Sequence, residues 1–457
     1  MTAIIIRLFI IVHCSTWAAQ GFCQPRLPSV QKIEWDTFKK PAPDDSVSQM
    51  VKSILLNANK YALGAWYDLD RKYKTDSSGY LDLKSVSTDN EYRYRLPAGM
   101  AFGLAISIKT EIYDPSITAV GTQEAKAKTI QLLSSVAYDH TSNSTSKTWG
   151  GDWQAAHWAY YSGYAAWLLW DDLNLLSKQN IQRMIISEAD HLLTRPVLYY
   201  KDIHGKSIFP GDSKIEENNW NAELLYLAAV MMPDHKNQPK WMQKAVSFMI
   251  SAVAMPSDLT NEKILHGKEV KLWLNGYNVE DPGIVVNHHI IHPLYNALSS
   301  VVNAPIVFSL VNKPTPEAAR FNLDKIYNSL INTRFDVPKY EQPGGTMYIP
   351  GSQEVYYPQG SDWGKQIFDS YANMDIAAWK YGLDGGQVYN GRYWAALHLL
   401  PIMVQQQRFD DGHTYSGKEE NSYYGREAAI ATRMASAWMT IWLQSQRPAT
   451  YQNFLLK

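Results

Sequence analysis

Apolar residues recur mainly at the three- and four-residue spacing of amphipathic α-helices, and no convincing series of strands lies between them. Several helix starts are marked: Asp45 and Ser46 precede the first apolar run, Pro97 and Pro316 suit first turns, and residues 213–216 read as a capping box. The spacing predicts twelve helices, at about 45–68, 97–111, 121–140, 154–173, 177–194, 215–232, 239–254, 291–303, 314–332, 365–381, 389–405 and 424–445.

Twelve consecutive helices indicate an all-α fold built from six antiparallel hairpins. A closed ring of six hairpins, the (α/α)6 toroid, buries that many amphipathic helices around one axis. An open solenoid is the alternative, but no repeat of solenoid length is present in the sequence. We therefore predict that residues 22–457 form a single domain, an (α/α)6 toroid with long loops.

The first residues have the pattern of a secretory signal. Arg7 supplies the positive start, residues 4–12 are mostly apolar, and residues 19–21 offer a small-x-small cleavage site. We predict a signal peptide at residues 1–21, a secreted or periplasmic location and no membrane span. Both cysteines lie near the N-terminus, so the exported chain has no internal disulfide and depends on its core.

Composition narrows the class of ligand. The formal net charge is −1 and no basic run is present, which argues against nucleic acid or an anionic membrane surface as a partner. The chain contains 16 Trp and 29 Tyr. Many of these rings are expected to fill the core. In an exported protein the excess also suits stacking against the flat faces of sugars.

Three predicted connections are too long to be simple turns: residues 195–214, 255–290 and 341–364. Long loops within a compact domain are commonly functional when their composition is not that of a disordered segment. The third loop combines Gly and Pro turns with aromatic residues and an Asp, which is typical of a shaped binding loop. We expect these loops to carry the active site.

A polar cluster opens the helix predicted at 215–232. Asn is a poor helix former, yet Asn218 and Asn219 stand in its first turns after Glu217. Glu216 has a local explanation, because it completes the capping box. The other three have none, and at a helix N-terminus they would lie beside free backbone N–H groups that favour an anion.

A second cluster joins the end of the loop at 255–290 to the next helix. It contains Asn287, His288, His289, His292 and Tyr295 within nine residues. Pro at position 293 suits a first helical turn, so Asn287 to His289 end the loop and Tyr295 begins the helix. Each His is either a capping or core residue or a member of a site.

A metal site is the alternative for these histidines. His288 and His292 are four residues apart, but Pro293 disrupts the helix that would align them, and cysteine ligands are absent nearby. We therefore predict no metal site and no cofactor, with a divalent cation as the alternative.

Two Asp-Trp pairs complete the candidate residues. Asp152 and Trp153 precede one predicted helix, and Asp362 and Trp363 precede another. Each Asp could cap its helix while its Trp packs in the core. The alternative is that both pairs contact substrate.

These residue types fit β-elimination from a uronic-acid polymer. The uronate carboxylate must be neutralised, a base must remove the C5 proton, and an acid must protonate the departing oxygen. Asn, Arg or a cation can serve the first step, His or an ionised Tyr the second, and Tyr the third. A tyrosine base would require nearby positive charge or a protonated His, because its ordinary pKa is about 10.

The order Asn, His, Tyr, with the Asn in an Asn-Asn-Trp setting, resembles the chondroitin AC and hyaluronate lyases of the (α/α)-toroid class. In that family Asn neutralises the carboxylate while His and Tyr handle the protons. The resemblance implies these roles for Asn218 or Asn219, His288 or His289, and Tyr295. Arg334 is the candidate for the family's arginine, and the large C-terminal β-domains of the family have no counterpart here.

The predicted function is therefore a secreted polysaccharide lyase acting on an acidic polysaccharide or oligosaccharide. The first alternative is a glycoside hydrolase on the same toroid, which needs two carboxylates across the scissile bond. Asp152, Glu217, Asp281 and Asp362 are candidates for that pair. The second alternative is a glycan-binding protein without catalysis.

Overall fold

The computed structural model describes residues 27–144, 148–416 and 425–456, and the described chain is mostly helical. The all-α prediction is thus confirmed. The predicted signal peptide, residues 1–21, lies outside the described residues and stays a prediction. The α-helices are α1 Ser46–Tyr61, α2 Leu96–Lys109, α3 Pro115–Thr118, α4 Thr122–Tyr138, α5 Ala155–Leu168, α6 Leu175–Thr194, α7 Ile215–Met231, α8 Gln238–Ala252, α9 Pro293–Asn296, α10 Ala304–Phe308, α11 Leu323–Asn332, α12 Phe368–Tyr381, α13 Gly391–Gln406 and α14 Arg426–Gln446.

The described strands are two residues long and form five separate pairs within the loops. All pairs are antiparallel except β7 with β10. The strands are β1 Lys201–Asp202, β2 Ile264–Leu265, β3 Lys268–Glu269, β4 Gly276–Tyr277, β5 Val286–Asn287, β6 Ile290–Ile291, β7 Thr315–Pro316, β8 Arg334–Phe335, β9 Gly345–Thr346 and β10 Tyr451–Gln452. β1 pairs with β4, β2 with β3, β5 with β6, and β8 with β9.

Short 3-10 and π-helical segments extend or join the helices. The π-helical segments are Ala62–Arg71, which continues α1, and Glu91–Arg95, which leads into α2. The 3-10 segments are Trp35–Thr37, Leu83–Ser85, Trp170–Asp172, Pro256–Thr260, Val270–Trp273, Ser299–Val302, Ser309–Val311 and Glu317–Arg320.

Two predicted helices are wrong in part. The one predicted at 291–303 breaks after the single turn of α9, where the Asn296 side chain bonds backbone groups of the preceding loop instead of continuing the helix. The one predicted at 314–332 survives only as α11. Its first half begins with β7, which pairs with the C-terminal strand β10, so Pro316 belongs to a strand and not to a first turn.

The predicted helix start at Asp45 is confirmed. Its carboxylate accepts hydrogen bonds from the backbone N–H groups of Val47 and Ser48 and so caps α1. Pro97 lies in the first turn of α2, as expected.

The predicted capping box at 213–216 is wrong. The Ser213 hydroxyl donates to the carbonyl of Asn278 (2.8 Å), and α7 begins at Ile215 without a side-chain cap. The hydroxyl also accepts from the Ile215 N–H (3.3 Å), but it does not reach the N–H of residue 216 that a capping box requires. The carboxyl of Glu216 is thereby left free of the role that the sequence pattern gave it.

The helices fall into two classes of burial. Almost every position of α2, α5 and α7 is buried, and most positions of α12 and α14 are too. A helix that is apolar all round must be enclosed by others. By contrast α1, α4, α6, α8 and α13 each bury one face and expose the other.

The enclosed helices contact one another in sequence. α14 packs on α2, α2 on α5, α5 on α7, and α12 on α14, while the segment 299–308 packs against α7 and α12. The half-exposed helices lie outside them: α1 packs on α14, α4 on α2, α6 on α5, α8 on α7, and α13 on α12. The described core forms two apolar clusters, one around α1 to α8 and α14 and a smaller one around α9, α11 and α12.

The segment Pro293–Val311 is apolar enough, and long enough, to cross a membrane by composition alone. Within the fold 89% of that window is buried. It consists of α9, a 3-10 turn and α10, which pack between α7 and α12. Its apolar character therefore has an explanation in the packing of the core.

Candidate functional site

The β5–β6 hairpin places two histidines at its tip. The strands pair Val286 with Ile291 and Asn287 with Ile290, which leaves His288 and His289 as a two-residue turn. Both have left-handed backbones, with φ of 51° and 67°. A two-residue hairpin of the I′ type requires this, but it normally uses Asn or Gly. Each side chain held so costs about 1–3 kcal/mol, and such strain clusters at functional sites.

His288 links an aspartate to a tyrosine. Its Nδ1 lies 2.6 Å from Oδ2 of Asp362, and its Nε2 lies 3.4 Å from the hydroxyl of Tyr295. When Nδ1 donates its proton to the carboxylate, Nε2 carries the lone pair that faces the phenol. The arrangement is that of a base oriented by a carboxylate. The distance to the phenol is long for a hydrogen bond, as is common in sites without substrate.

The third long loop holds this arrangement in place. The side-chain carbonyl of Gln359 accepts a 2.6 Å hydrogen bond from the Ile291 N–H and ties the loop to the hairpin. Trp363 packs against the rings of His288 and Tyr295, with centroids 5.8 and 6.2 Å away. Gly364 has φ of 88°, and a Cβ there would stand 2.8 Å from the side chain of Leu294. The Gln-Gly-Ser-Asp-Trp-Gly segment is thus shaped around the hairpin.

His292 supports the site from beneath and does not line the cleft described below. It is fully buried at the N-cap of α9, with Nε2 3.3 Å from Oδ1 of Asp362. Burial is the main cause that lowers the pKa of His292 to about 4, and the charge of His288 adds to it while Asp362 opposes it. His292 is therefore neutral at neutral pH.

A cleft of about 620 Å³ opens above these residues. All three predicted long loops contribute to it, through residues 210–214, 287–289 and Asp362. The first turn of α7 and Tyr295 of α9 complete its walls. The volume is in the ordinary range of small-ligand sites.

Two further pockets each share one wall residue with the cleft. Glu216 is shared with an inner pocket of about 30 Å³ between α2, α5, α7 and α14. Asp362 is shared with a side pocket of about 500 Å³ that contains Trp363, Lys365 and Arg426. The N-terminal turns of α7, α12 and α14 border these spaces, so the positive ends of several helix dipoles face one region.

Acidic groups dominate the walls of the cleft. The ammonium of Lys214 bonds Asp212 and lies 2.9 Å from Oε1 of Glu217. Burial, followed by the charges of Glu216, Glu217 and Asp212, raises the pKa of Tyr295 far above its ordinary value. The phenol is therefore protonated at rest. A phenol in this state can donate a proton, and the alternative of a tyrosine base stays a prediction.

Glu216 is a site residue that sequence analysis missed. Burial raises its pKa to about 8, the charge of Glu217 adds to this, and Arg95 and Arg433 oppose it. These neighbours act through charge, and within the described residues no hydrogen bond to the carboxyl is formed. The signal was present as Glu-Glu at the start of α7, but the capping-box pattern supplied a local explanation for it.

Asn218 and Asn219 do not line the cleft. The Asn218 amide is fully buried, where it donates to the carbonyl of Leu198 (2.8 Å) and accepts from the Leu198 N–H (3.2 Å). Asn219 donates to the carbonyl of Ile215 one turn earlier. At 3.6 residues per turn Asn218 lies on the opposite side of α7 from Glu216, whereas Asn219 shares the side of Glu216 but is held by its bond to the Ile215 carbonyl. Asn218 fastens a loop instead of binding an anion.

The remaining predicted residues divide as follows. Trp153 is 59% exposed and lines the cleft, and Asn287 lines it while its amide donates to a loop carbonyl. Asp152 does not line it, since its carboxylate accepts from the N–H of Gly150. Arg334 lies on β8 and is not among the residues that border the cleft or the two further pockets.

Metal chemistry has little support here. In the described ranges no group of three or more His, Cys, Asp or Glu side chains is arranged to hold an ion. His288 and His292 both turn toward Asp362, with their ring centroids 5.8 Å apart.

Comparison of the chain with protein-family models, with curated proteins and with solved structures finds no match. The resemblance to the toroid lyases accordingly stays a prediction. What the chain does must be argued from its own residues.

Proposed function

We propose that the helix pairings close into an (α/α)6 toroid. α2, α5, α7, the segment 299–308, α12 and α14 would form the inner ring, because each contacts the next and α14 returns to α2. α1, α4, α6, α8, α11 and α13 would form the outer ring. The cleft then lies at the end of the ring where several inner helices begin, and residues 22–457 act as one domain.

We propose that the protein is a secreted or periplasmic polysaccharide lyase that cleaves a uronic-acid-containing glycan by β-elimination. The observation that carries this proposal is the Asp362–His288–Tyr295 chain at the wall of the cleft. It offers an oriented base and a protonated phenol side by side. Elimination needs one group of each kind.

The protonation states assign the two roles. Asp362 holds Nδ1 of His288, so Nε2 is the lone pair that removes the C5 proton. Acidic neighbours keep Tyr295 protonated, so its hydroxyl is the acid that protonates the departing C4 oxygen. The phenol afterwards regains a proton from His288, and the C4–C5 bond becomes double.

The short distance between His288 and Tyr295 restricts the stereochemistry of the sugar that can be cleaved. With only 3.4 Å between Nε2 and the hydroxyl, both protons move on one face of the sugar. Such a site suits a uronate whose C5–H and C4–O bonds lie on the same face, as in glucuronate. A galacturonate polymer, in which they lie on opposite faces, is expected to be a poor substrate.

The test is a panel of acidic polysaccharides that includes glucuronate polymers and polygalacturonate. We expect an ultraviolet-absorbing unsaturated uronate from glucuronate polymers, and a fall in kcat of about 10²–10⁴-fold in Tyr295→Phe with little change in binding. Products that carry only a new reducing end would reject elimination. Intact polymer that is nevertheless retained by the protein would indicate glycan binding without catalysis.

A glycoside hydrolase is the second candidate, and one observation favours it. Glu216, with a pKa of about 8, could act as the general acid in the same cleft as ionised carboxylates. Glu217 and Asp362 would be the paired bases, whereas Asp152 does not reach the cleft. Hydrolysis by two carboxylates gives no role to the contact between His288 and Tyr295, whereas elimination uses both residues. Elimination is therefore the better account.

A further inference from the structure

Elimination requires a group that takes the negative charge of the substrate carboxylate. Asn218 and Asn219, the residues expected to do this, are buried and do not line the cleft, and their side-chain amides donate to backbone carbonyls. The ammonium of Lys214 is engaged by carboxylates on both sides. We propose that Glu216, carrying its proton, is the group that binds the uronate carboxylate of the substrate. This inference rests on the proposed elimination reaction.

The position of Glu216 fits this role. Its side chain borders both the cleft and the inner pocket, so a ligand in the cleft can reach it. Its side chain and the phenol of Tyr295, the proposed acid, line the same cleft. Within the described residues its carboxyl makes no hydrogen bond, so its hydrogen-bonding groups are available to a ligand.

The surroundings keep the carboxyl protonated. On the cleft side it faces Asp212, Lys214, Glu217, His288, His289, Tyr295 and Asp362. On the inner side it faces Arg95, His157, Tyr161 and Arg433, with Glu91 further away. Burial and the two glutamates outweigh the two arginines. A bound uronate adds one more negative charge, which raises the pKa of Glu216 further.

The chemistry balances without another participant. The protonated carboxyl donates its O–H to a uronate oxygen, a short and strong hydrogen bond because the acceptor is charged. Charge withdrawn from the uronate makes its C5 proton more acidic. That proton passes to His288, the C4–O bond breaks, and Tyr295 protonates the departing oxygen. The proton of Glu216 stays between the two carboxyl groups and is not consumed.

Two substitutions separate this role from that of a general acid. Glu216→Gln keeps a donor for the uronate but has no transferable proton, so we expect kcat/KM within about tenfold of the natural enzyme, since a hydrogen bond to a charged group is replaced and not removed. Glu216→Ala removes the donor and should lower kcat by about 10²–10³-fold. Glu262→Gln, at an exposed ion pair with Lys271, is the control. A glutamine variant as inactive as the alanine variant would overturn the proposal.

The pH profile gives a second readout. The natural enzyme should lose activity as the pH rises through the pKa of Glu216, because the ionised carboxylate repels the uronate. Glu216→Gln should lose that alkaline fall while keeping its activity below it. An unchanged alkaline fall in the glutamine variant would contradict the assignment, because another group would then be responsible.

A binding experiment keeps the inference testable even if no polymer is cleaved by elimination. Methyl β-glucuronide and methyl β-glucoside are compared by ligand-observed NMR, below and above the pKa of Glu216. We expect the natural protein to bind the glucuronide only at pH values below the pKa of Glu216. The Glu216→Gln variant should bind the glucuronide at both pH values. Equal binding at both pH values would reject the role of Glu216. If the glucuronide binds with this pH dependence but no polymer yields an unsaturated product, only the elimination reaction is rejected.

Discussion

Two of the groups of Asp, His and Tyr in the described part of the chain hold their histidines in nearly the same way. The cleft group is Asp362, His288 and Tyr295, and the core group is Asp375, His398 and Tyr327. In both, Nδ1 of the His meets a carboxylate oxygen, at 2.6 Å in the cleft and 2.7 Å in the core. The His and Asp side chains are 42% and 44% exposed in the cleft, and fully buried in the core.

The two groups differ in how the tyrosine is connected. In the core group, Tyr327 donates to Asp375 (3.0 Å), and Nε2 of His398 makes no hydrogen bond to a described residue. Burial raises the pKa of Asp375, whereas the hydrogen bond and charge of His288 hold the pKa of Asp362 below its ordinary value despite some burial. The presence of Asp, His and Tyr together therefore does not identify a functional site. The distinguishing feature of the cleft group is that Nε2 of His288 faces both a tyrosine hydroxyl and an open cleft.

The largest effect is expected on turnover. His288→Asn removes the proposed base but keeps a residue that tolerates the left-handed backbone of the turn. We expect kcat to fall by about 10²–10⁴-fold, the usual contribution of a positioned base. His204→Asn is the control, because His204 is an exposed loop residue whose backbone N–H makes the bond to Asp202. Near-normal turnover in the His288 variant would show that the cleft group is no more catalytic than the core group.

The core group should instead govern stability. His398→Ala removes one of the groups that bond the buried Asp375 carboxyl, which should cost about 1–3 kcal/mol of the free energy of unfolding. His288→Asn, at an exposed turn, should cost about 1 kcal/mol or less. Denaturant titration of both variants measures the difference. A His398 variant of unchanged stability, or one whose folded fraction has lost turnover, would show that the core group is not simply structural.

The class of fold was predictable because helical periodicity extends over most of the chain. The prediction of individual helices failed in two places. One is the end of α9, where the side chain of Asn296 competes with the backbone for hydrogen bonds. The other is Thr315, which pairs with a strand distant in the sequence. Such pairings join residues that are far apart in the sequence, so the local spacing of apolar residues cannot predict them. Asp45, whose cap is local, was predicted correctly.

The site was predictable to the level of its loops. His288, His289, Tyr295 and Asp362 come together as expected, since they stand at loop ends where helices begin. The rotation of α7 was not predictable. Whether 216 or 218 faces a cleft depends on which side of the helix its neighbours cover, and α7 is apolar enough all round to give no signal.

A third prediction concerns His292, which ties the cleft group to the core. Burial depresses its pKa to about 4 in the folded protein, against about 6.5 in the unfolded chain. Between these values the unfolded chain binds more protons, so the stability contribution is complete above about pH 6.5 and is lost as the pH falls toward 4, by about 3 kcal/mol.

Unfolding curves across this range should show the loss in the natural protein and a flatter dependence in His292→Asn. The slope with pH is the readout, because any general destabilisation by the substitution shifts the whole curve equally. Parallel curves for the two proteins would mean that His292 is protonated at a similar pH in the folded and the unfolded chain.

The smallest effect is expected at the rim of the cleft, away from both groups. Trp153 is 59% exposed there, and its ring is nearly perpendicular to that of Trp220, with centroids 5.6 Å apart. An aromatic face left in solvent beside a cleft suits the stacking of a sugar, worth about 1 kcal/mol. Trp153→Ala should therefore raise KM about fivefold and leave kcat unchanged, because stacking stabilises the bound substrate and its transition state alike. Trp170→Ala, outside the cleft, should change neither. A fall in kcat in the Trp153 variant would instead show that the rim positions the sugar for proton transfer, and that the cleft group depends on more than its own three residues.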